Sequence, residues 1–542
     1  MTDPAPTASS STRRPATGVL IALTGLMIVG SVLRAYRLGH QSLWNDEIVS
    51  WLSAQGSVWH VITQRVENSN IPPLYYLIAD AALTLRGRLG LEEAIRLPSV
   101  VAGVLSIPLL FIVVRSWLGI RIGLIAAALM TASPFHVWYS QEARPYAVLL
   151  LAALIALACA QQALANPDRT GWKVAFAFAT AATFYCHTVG VAFIGFSAVY
   201  IVAATPGSGT PWTAAWRARI RAQSAAHWRA WATTFAGVAL LCVPGLYRLA
   251  TFPPTNSADS DRPLSPVQFG YALWSFVVGF SFGPSLEDLH SHDRVAILMR
   301  AAWEVVPVGA ALLVLYAFGV RWMARRQPRA FGFVGLWFLF PMVFASVGAL
   351  ITVHPFNVRY AVIAFLPALI VIAYGMDALP TAVLRGIAWV VVGGVSVVAL
   401  VGYYDDPKYA RDDYRGEAAF FTAHADSGDL VLGHRAFTAR DLQFYAPTTA
   451  ARIVGFPPNP VALDSTQLMA ELAATVRGQR RVWLSLSRGT AEEYAPLMAF
   501  CESHFRRLYS YASSGVRLIG YTRDTASSPG AAVEAPSSMG HP

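Results

Sequence analysis

The chain has 542 residues, of which 55% are hydrophobic and only 13% are charged. Soluble domains carry about 25% charged residues, so the composition indicates an integral membrane protein and excludes an ordinary soluble enzyme. The net charge is +10, but the basic residues form no nucleic-acid-binding motif, and no nucleic-acid partner is predicted. The four cysteines are isolated and give no disulfide or zinc pattern.

The N-terminal segment 1–16 is rich in Pro, Ser, Thr and Ala, and its composition predicts a disordered cytoplasmic N-terminus. The apolar run that follows resembles the core of a signal peptide. However, no small-residue cleavage site precedes Arg34, and many more apolar runs follow. We therefore expect an uncleaved first spanning helix.

Apolar runs long enough to cross a bilayer recur through a predicted transmembrane domain, 17–404. The eleven candidate spans are 17–35, 97–115, 121–140, 145–165, 172–186, 189–204, 231–250, 303–320, 331–351, 361–379 and 386–402. With eleven spans, every basic-rich connector falls on one side, which the positive-inside rule makes cytoplasmic. Thirteen spans is the upper limit. Segment 72–85 is apolar but short and contains Asp80, so we expect a juxtamembrane or re-entrant helix on the outer side.

The hydropathy pattern changes after position 404, where apolar strand-like runs alternate with helical patterns. This alternation predicts an α/β domain over 405–524, on the outer side with Asp46. The predicted strands are 430–432, 451–456, 481–487 and 516–521, and the predicted helices are 412–425, 438–445, 464–477 and 490–505. A disordered tail is expected over 525–542.

Two adjacent carboxylates, Asp46 and Glu47, come directly after the first span and lie between Trp44 and Trp51. Charged residues at a membrane boundary are costly and are usually functional when they face a cavity. The alternative is local, with Asn45 or Asp46 capping the helix that follows.

The other outer connectors carry further polar residues. Glu142 and Arg144 follow the third span, His187 lies in a short hinge, and His354 and Arg359 follow the ninth span. Carboxylates can take a proton from a hydroxyl or hold a divalent cation, and arginine forks suit phosphate. The alternatives are a local Glu142–Arg144 pair, an interior histidine at 187, and interfacial anchors at 354 and 359.

Several of these stretches together resemble the GT-C glycosyltransferases of the protein O-mannosyltransferase and aminoarabinose transferase type, a group like glycosyltransferase family 39. The resemblance covers about 35–380. The stretches that carry it are Trp44-Asn45-Asp46-Glu47, Pro72-Pro73-Leu74-Tyr75-Tyr76, Arg96-Leu97-Pro98-Ser99, Ser133-Pro134, Ser140-Gln141-Glu142-Ala143-Arg144-Pro145-Tyr146, Asn357-Val358-Arg359-Tyr360 and Leu366-Pro367.

The resemblance implies a GT-C fold and a sugar donor linked to polyprenyl phosphate, used on the outer face of the membrane. It implies Asp46 as catalytic base, Glu47 as a supporting residue and Glu142 as part of a second acidic loop. Relatives often place His or Lys just before the Pro-Pro pair, where this chain has Asn70-Ile71. A contact to the donor or acceptor at that position is therefore not carried over.

The predicted site combines catalytic and substrate-binding residues. The catalytic set is Asp46, Glu47 and Glu142, and the set that binds donor phosphate or substrate is Arg144, Tyr146, His187, His354, Arg359, Tyr360 and Tyr75. No cofactor is required, although Mg²⁺ or Mn²⁺ on the three carboxylates is compatible with the sequence. Because the motif loops all precede 380, we expect residues 405–542 to shape acceptor access or assembly rather than chemistry.

The predicted function is sugar transfer to a hydroxyl of an extracytoplasmic glycan, lipid or protein, in the cytoplasmic (inner) membrane. Two other classes stay open: a transporter or flippase for a lipid-linked sugar, and a non-catalytic GT-C-like assembly protein. A flippase would place charges along the bilayer midplane and often shows internal repeats. In this chain the charges concentrate at the predicted outer helix ends, which argues against a flippase. Transfer of labelled sugar would separate an enzyme from both alternatives.

Overall fold

The computed structural model describes residues 17–63, 72–204, 225–251, 264–290, 294–351, 356–457, 465–489, 491–523 and 533–534. Within these ranges, eight helices are long and apolar enough to cross a membrane. The transmembrane region contains α1 (Thr17–Ala35), α2 (Asn45–Ser53), α3 (Val58–Thr63), α4 (Leu74–Leu83), α5 (Arg86–Leu89), α6 (Leu91–Ala132), α7 (Pro134–Ser140), α8 (Tyr146–Ala165), α9 (Thr170–Cys186), α10 (Gly190–Ala204), α11 (Ala225–Thr251), α12 (Pro266–Val278), α13 (Leu286–His290), α14 (Arg294–Arg300), α15 (Ala302–Arg326), α16 (Pro328–Ile351), a 3₁₀ helix (Val358–Ala364), α17 (Phe365–Ala378) and α18 (Ala382–Asp405).

All eleven predicted apolar segments lie on helices, but they do not correspond one to one with spanning helices. Helix α6 covers 42 residues and is broken at Gly119, whose φ of 85° divides it between two of the predicted spans. The predicted span 121–140 is itself interrupted at Ser133, where α7 begins. Helix α4 has ten residues. At 1.5 Å per residue, it is too short to cross a hydrocarbon core of about 30 Å, as expected for segment 72–85.

A buried arginine holds the C-terminal end of α1 against the break after α6. Arg34 is fully buried and donates hydrogen bonds to the carbonyl oxygens of Met130 and Thr131, at distances of 3.0 and 3.1 Å. These carbonyls are the unpaired acceptors that a helix C-terminus leaves behind. Gly103 leaves room for Ser140 and Arg34, because a Cβ there would clash with the Ser140 hydroxyl oxygen and would lie 3.0 Å from the Arg34 Nε atom.

The C-terminal region forms one six-stranded mixed sheet with helices packed on it, which confirms the predicted α/β domain. Its elements are a 3₁₀ helix (Pro407–Tyr409), α19 (Tyr414–His424), β1 (Leu430–His434), α20 (Ala436–Tyr445), β2 (Arg452–Phe456), α21 (Ser465–Thr475), β3 (Arg481–Ser487), α22 (Ala491–His504), β4 (Arg506–Ser513), β5 (Val516–Thr522) and β6 (Val533–Glu534). The strand order is β2-β1-β3-β5-β4-β6. Strand β1 pairs in parallel with β2 and β3, whereas β5 is antiparallel to β3 and β4.

Strands β4 and β6 were not predicted. The predicted N-terminal segment 1–16 lies outside the described residues, and so does the predicted tail except for β6.

The α/β domain packs against the end of the helical region that carries Asp46, as predicted. The Ser42 hydroxyl donates to the Asp412 carbonyl oxygen at 2.8 Å, and the backbone N–H of Leu43 donates to the Tyr445 hydroxyl at 2.7 Å. These contacts fix the chain immediately before α2, so the domain helps to place the adjacent carboxylates.

Candidate active site

Helix α2 begins directly before the two carboxylates and separates their environments. Trp44 precedes the helix in extended conformation, and Asn45 and Asp46 occupy its first turn. Asn45 donates its side-chain amide to Asp441 at 3.1 Å. Neither side chain caps the helix, so the local capping alternative for Asn45 and Asp46 is wrong.

Asp46 is the partly open carboxylate of the pair, with 21% of its side chain exposed. Its Oδ2 atom lies 2.8 Å from Nη1 of Arg359 and 3.9 Å from Nη2 of Arg144. Burial alone would raise the pKa of Asp46. The guanidinium groups of Arg144, Arg359 and Arg488 outweigh burial, so the pKa of Asp46 lies below its usual value. The carboxylate is ionised at neutral pH and can accept a proton.

Glu47 is sealed inside the protein and has no exposed surface. Arg96 donates to both of its carboxylate oxygens, at 2.8 and 2.7 Å, and the backbone N–H of Ala143 donates to Oε1 at 2.7 Å. Arg411 approaches Oε2 at 3.2 Å. Against the opposing effect of burial, these two arginines lower the pKa of Glu47. The geometry fits the supporting role expected for Glu47, because its oxygens are already engaged.

The connector 141–145 is pinned to the end of α1 and to α6. The Gln141 side-chain amide donates to the carbonyl oxygens of Arg34 and Tyr36, at 3.0 and 2.7 Å. The Ser99 hydroxyl donates to the Arg144 carbonyl oxygen at 3.2 Å. These hydrogen bonds hold the connector that places Glu142 and Arg144 at the site.

Glu142 is buried and weakly paired. Its nearest described cation is Arg411, whose Nη2 atom lies 4.0 Å from Oε2, beyond hydrogen-bonding distance. Burial, only partly opposed by Arg411, raises the pKa of Glu142 to about 7. The structure shows no ion pair between Glu142 and Arg144, so the local-pair alternative receives no support.

Arg144 and Arg359 flank Asp46, although they lie far apart in sequence. Arg144 also donates to the Asp46 carbonyl oxygen at 3.2 Å and to the Ser50 hydroxyl at 3.3 Å. Arg359 is in the first turn of the 3₁₀ helix, whose start is capped by Asn357. The guanidinium group of Arg359 lies 5.3 Å from the centre of the Tyr360 ring. Two arginines with one carboxylate between them leave positive charge to interact with an anion.

The aromatic and histidine residues of the predicted site form a wall beside these arginines. The His187 ring lies 5.6 Å from that of Tyr146 and 6.2 Å from that of Tyr360. Its Nδ1 atom accepts the backbone N–H of Val189 at 3.2 Å. Burial and the neighbouring arginines lower the pKa of His187 to about 3, so the ring is neutral. His187 is therefore an interior residue that also borders the site.

Two predicted residues are not placed in this arrangement. The Tyr75 hydroxyl is buried and lies 3.2 Å from the Ser99 hydroxyl and 3.4 Å from the Ile95 carbonyl oxygen, which makes it a packing contact between α4 and α6. His354 lies outside the described residues.

Three arginines that the sequence did not mark as site residues join the cluster: Arg96, Arg411 and Arg488. Arg411 extends from the segment after α18, donates to the Gln141 carbonyl oxygen at 3.2 Å and packs over the Trp138 ring. Arg488 follows β3 and lies with its guanidinium 4.6 Å from the Trp44 ring centre. The site therefore extends beyond position 380 into the α/β domain.

The three carboxylates do not form a cation cage in this arrangement. Both oxygens of Glu47 accept hydrogen bonds from Arg96, and Asp46 is paired with Arg359. Across the described ranges, no three His, Cys, Asp or Glu side chains are grouped so that they could hold a metal ion. The donor set does not fit Mg²⁺ or Mn²⁺ shared by Asp46, Glu47 and Glu142.

The fold and this cluster of charges at one end of the helices define a class: a multi-pass membrane protein with the fold of GT-C glycosyltransferases. The crystal structure of ArnT from Cupriavidus metallidurans in the apo state matches over 94% of this chain and 98% of that chain, with 16% identity and a TM-score of 0.53. The same protein bound to undecaprenyl phosphate matches over 94% of this chain and 99% of that chain, with 16% identity and a TM-score of 0.51.

A second protein shares this fold. The archaeal oligosaccharyltransferase AglB from Archaeoglobus fulgidus, in complex with an inhibitory peptide and a dolichol-phosphate, matches over 95% of this chain and 75% of that chain, with 10% identity and a TM-score of 0.53. A family model described as dolichyl-phosphate-mannose-protein mannosyltransferase matches residues 70–216. No curated protein matches the sequence. The resemblance expected from the motifs is confirmed, and at these identities the solved structures establish the fold.

Proposed function

We propose that this protein is a membrane glycosyltransferase that transfers a sugar from a polyprenyl-phosphate donor to a hydroxyl of an extracytoplasmic glycan, lipid or protein. One observation carries the proposal: the open Asp46 carboxylate lies between Arg144 and Arg359 at one end of the transmembrane helices. This arrangement provides a proton acceptor and an anion-binding pair side by side. The ArnT and AglB structures that share the fold were determined with undecaprenyl phosphate and dolichol-phosphate, which supports a lipid phosphate as the carrier.

In the proposed reaction, Asp46 takes the proton of the acceptor hydroxyl as the hydroxyl oxygen attacks the anomeric carbon. The new bond joins the acceptor oxygen to the anomeric carbon, and the bond between that carbon and the phosphate oxygen breaks. The electron pair leaves with the phosphate, so no nucleotide or ATP is needed. Because attack comes from the face opposite the phosphate, the anomeric configuration is inverted.

Arg144 and Arg359 would stabilise the negative charge that develops on the departing phosphate. A donor phosphodiester carries one negative charge, and Asp46 carries another, so the two arginines are balanced when the donor is bound. Fixed cations that face developing charge contribute strongly to catalysis, because they need little reorganisation during the reaction. Glu47 would fix the position of α2 relative to the 141–145 connector through its hydrogen bonds with Arg96 and Ala143.

Labelled donors test this proposal directly. Purified protein is incubated with polyprenyl phosphate carrying radiolabelled mannose, glucose, arabinose or aminoarabinose, together with membranes of the source cells as acceptor. We expect label from one donor to enter the acceptor fraction with wild-type protein but not with D46N. If no donor is used while label moves between the leaflets of vesicles, the transporter class is correct. Tight donor binding without transfer or movement would indicate a non-catalytic protein.

The proposed orientation can be tested with cysteine labelling. The four native cysteines are buried, so they contribute little background. Ala450 lies in the α/β domain and Arg325 near the end of α15, and both are exposed. We expect A450C to react with an impermeant maleimide from outside intact cells and R325C to react only after the membrane is opened. The reverse pattern would place the proposed site on the cytoplasmic face.

A further inference from the structure

Asp46 lies near arginines from two parts of the chain. Arg144 and Arg359 approach the carboxylate from the helical region. The α/β domain contributes Arg488, whose charge also lowers the pKa of Asp46. The mechanism proposed above uses only Arg144 and Arg359, and Arg488 has no role in it.

The backbone of Arg488 is in an unfavourable conformation. Its φ of 58° is in the left-handed region, where a long side chain is uncommon and where glycine would be less costly. The next residue is Gly489. A glycine at position 488 itself would adopt this φ without strain. Strained residues of this kind cluster at functional sites, where the surrounding structure holds them in place.

The surrounding contacts hold the Arg488 guanidinium in one position. Its Nε and Nη2 atoms both lie 2.6 Å from Oδ2 of Asp412. The guanidinium carbon lies 4.6 Å from the ring centre of Trp44, two residues before Asp46. An arginine fixed by a carboxylate and an aromatic ring is preorganised and loses little side-chain entropy when it binds a ligand.

Part of this guanidinium group is free to bind a ligand. Arg488 keeps 34% of its side chain exposed, and its Nη1 atom makes no hydrogen bond with any of the residues that the structure describes. Trp44 and Asp46 are also partly exposed. All three side chains keep accessible surface, and Arg488 lies over Trp44, two residues before the predicted catalytic base.

We propose that Arg488, backed by Trp44 and Asp412, is the acceptor-binding residue of this enzyme. This proposal rests on the proposed transferase function. The acceptor hydroxyl has to reach Asp46 from the side opposite the donor phosphate, which Arg144 and Arg359 are expected to hold. Arg488 then binds oxygen atoms next to that hydroxyl, so the acceptor carries such oxygens as sugar hydroxyls or as an anionic group.

A closely matched control exists in the same sheet. Arg435 directly follows β1, as Arg488 follows the neighbouring parallel strand β3. Arg435 also has a left-handed backbone, with a φ of 69°, but its guanidinium pairs with Glu493 at 3.3 Å. The substitutions R435G and R488G both place glycine at a residue with positive φ and differ in the contact that they remove.

The experiment measures acceptor and donor binding separately. Transfer from the active polyprenyl-phosphate sugar is followed at graded concentrations of solubilised membranes from the source cells. Polyprenyl phosphate is used as the probe of donor affinity. For R488G we expect the half-saturating acceptor concentration to rise about tenfold or more, the effect of losing one charge-assisted hydrogen bond. Donor affinity should stay at the wild-type value with the protein still folded, and R435G should saturate with acceptor and donor as wild type does.

R488K and ionic strength sharpen the test. Lysine keeps the charge but loses the fork, so R488K should recover acceptor binding only in part. Acceptor binding that weakens with salt in wild type but not in R488G identifies an anionic group on the acceptor. Binding that is insensitive to salt identifies sugar hydroxyls.

Three results separate failure of this proposal from failure of the proposed function. An R488G protein with wild-type acceptor saturation would overturn the acceptor role. Equal losses of acceptor and donor affinity would show that Arg488 only clamps the two domains together. If wild-type protein transfers no sugar to the membranes, the transferase function itself is wrong.

Discussion

Asp46 and Glu47 are neighbours in sequence, yet they occupy opposite kinds of environment. The open site around Asp46 leaves 21% of the side chain exposed and engages it through Arg359. In the sealed site around Glu47, the side chain has no exposed surface and both carboxylate oxygens accept hydrogen bonds from N–H donors. Both carboxyls have lowered pKa values because arginines outweigh burial. Charge alone therefore does not distinguish the proposed base from the proposed supporting residue, whereas the exposure of their side chains does.

Removing the carboxylate from the open site should give the largest effect on activity. We expect D46N to fold normally and to lose about 10²–10⁴-fold in transfer rate, because the amide cannot take the acceptor proton. The measurement is initial transfer rate with the active donor, with thermal unfolding as the control. Near-normal transfer by a folded D46N protein would show that another group is the base.

The sealed site should respond in the opposite way, with the main loss in stability. Substituting Arg96 by Met leaves Glu47 buried with less compensation, and breaking such a pair costs about 3–5 kcal/mol. We expect a large drop in melting temperature for R96M in detergent. The double variant R96M/E47M should recover part of the loss, because a buried ion pair can be replaced by apolar side chains at little cost. Additive losses would contradict this account of the pair.

Arg359 should show an intermediate effect that falls mainly on donor binding. We expect R359A to weaken binding of polyprenyl phosphate by about 1.5–3 kcal/mol, the value of a charge-assisted hydrogen bond. R359K should lose less, because it keeps the charge without the planar fork. The same series at Arg144 provides a second test. If Arg, Lys and Ala give equal donor affinity at both positions, these residues are membrane anchors and do not bind phosphate.

Glu417, a buried carboxylate of the α/β domain, extends the comparison to the dependence of stability on pH. Glu417 is fully buried in the α/β domain and accepts a hydrogen bond from Ser485 at 2.5 Å. Burial, only partly offset by this hydrogen bond, raises the pKa of Glu417 to about 8.

The folded state therefore holds a proton that the unfolded chain has released. This contribution to stability is full below the unfolded pKa of about 4.3 and is lost as the pH rises through about 8. We expect the melting temperature of wild type to fall over this pH range more steeply than that of E417Q. Parallel curves would show that Glu417 does not hold the proton. Glu47, with its lowered pKa, should act in the opposite sense and destabilise the protein as the pH falls.

Much of the fold was predictable because apolar runs determine where helices cross a membrane. Strand β4 was missed because it begins with two arginines, and its partly exposed residues give no clear alternation. The Asp-Glu pair and the 141–146 stretch were found because their residue types at the end of a span are costly without a function. The sequence also contained an indication for Arg96, since an arginine in an apolar helix needs a carboxylate partner. It contained none for Arg411 and Arg488, because their contacts depend on how two domains dock.

The contacts of Arg411 and Arg488 also set the order in which the site can be assembled during biosynthesis. Asp46 and Glu47 are translated early, and the first helix is inserted long before position 411 leaves the ribosome. Chains emerge and fold from the N-terminus onward. Asp46 and Glu47 are therefore inserted before their partners Arg411 and Arg488 have been synthesised. A nascent chain that already spans the membrane therefore has an incomplete charge cluster, which is completed only when the α/β domain has folded against it.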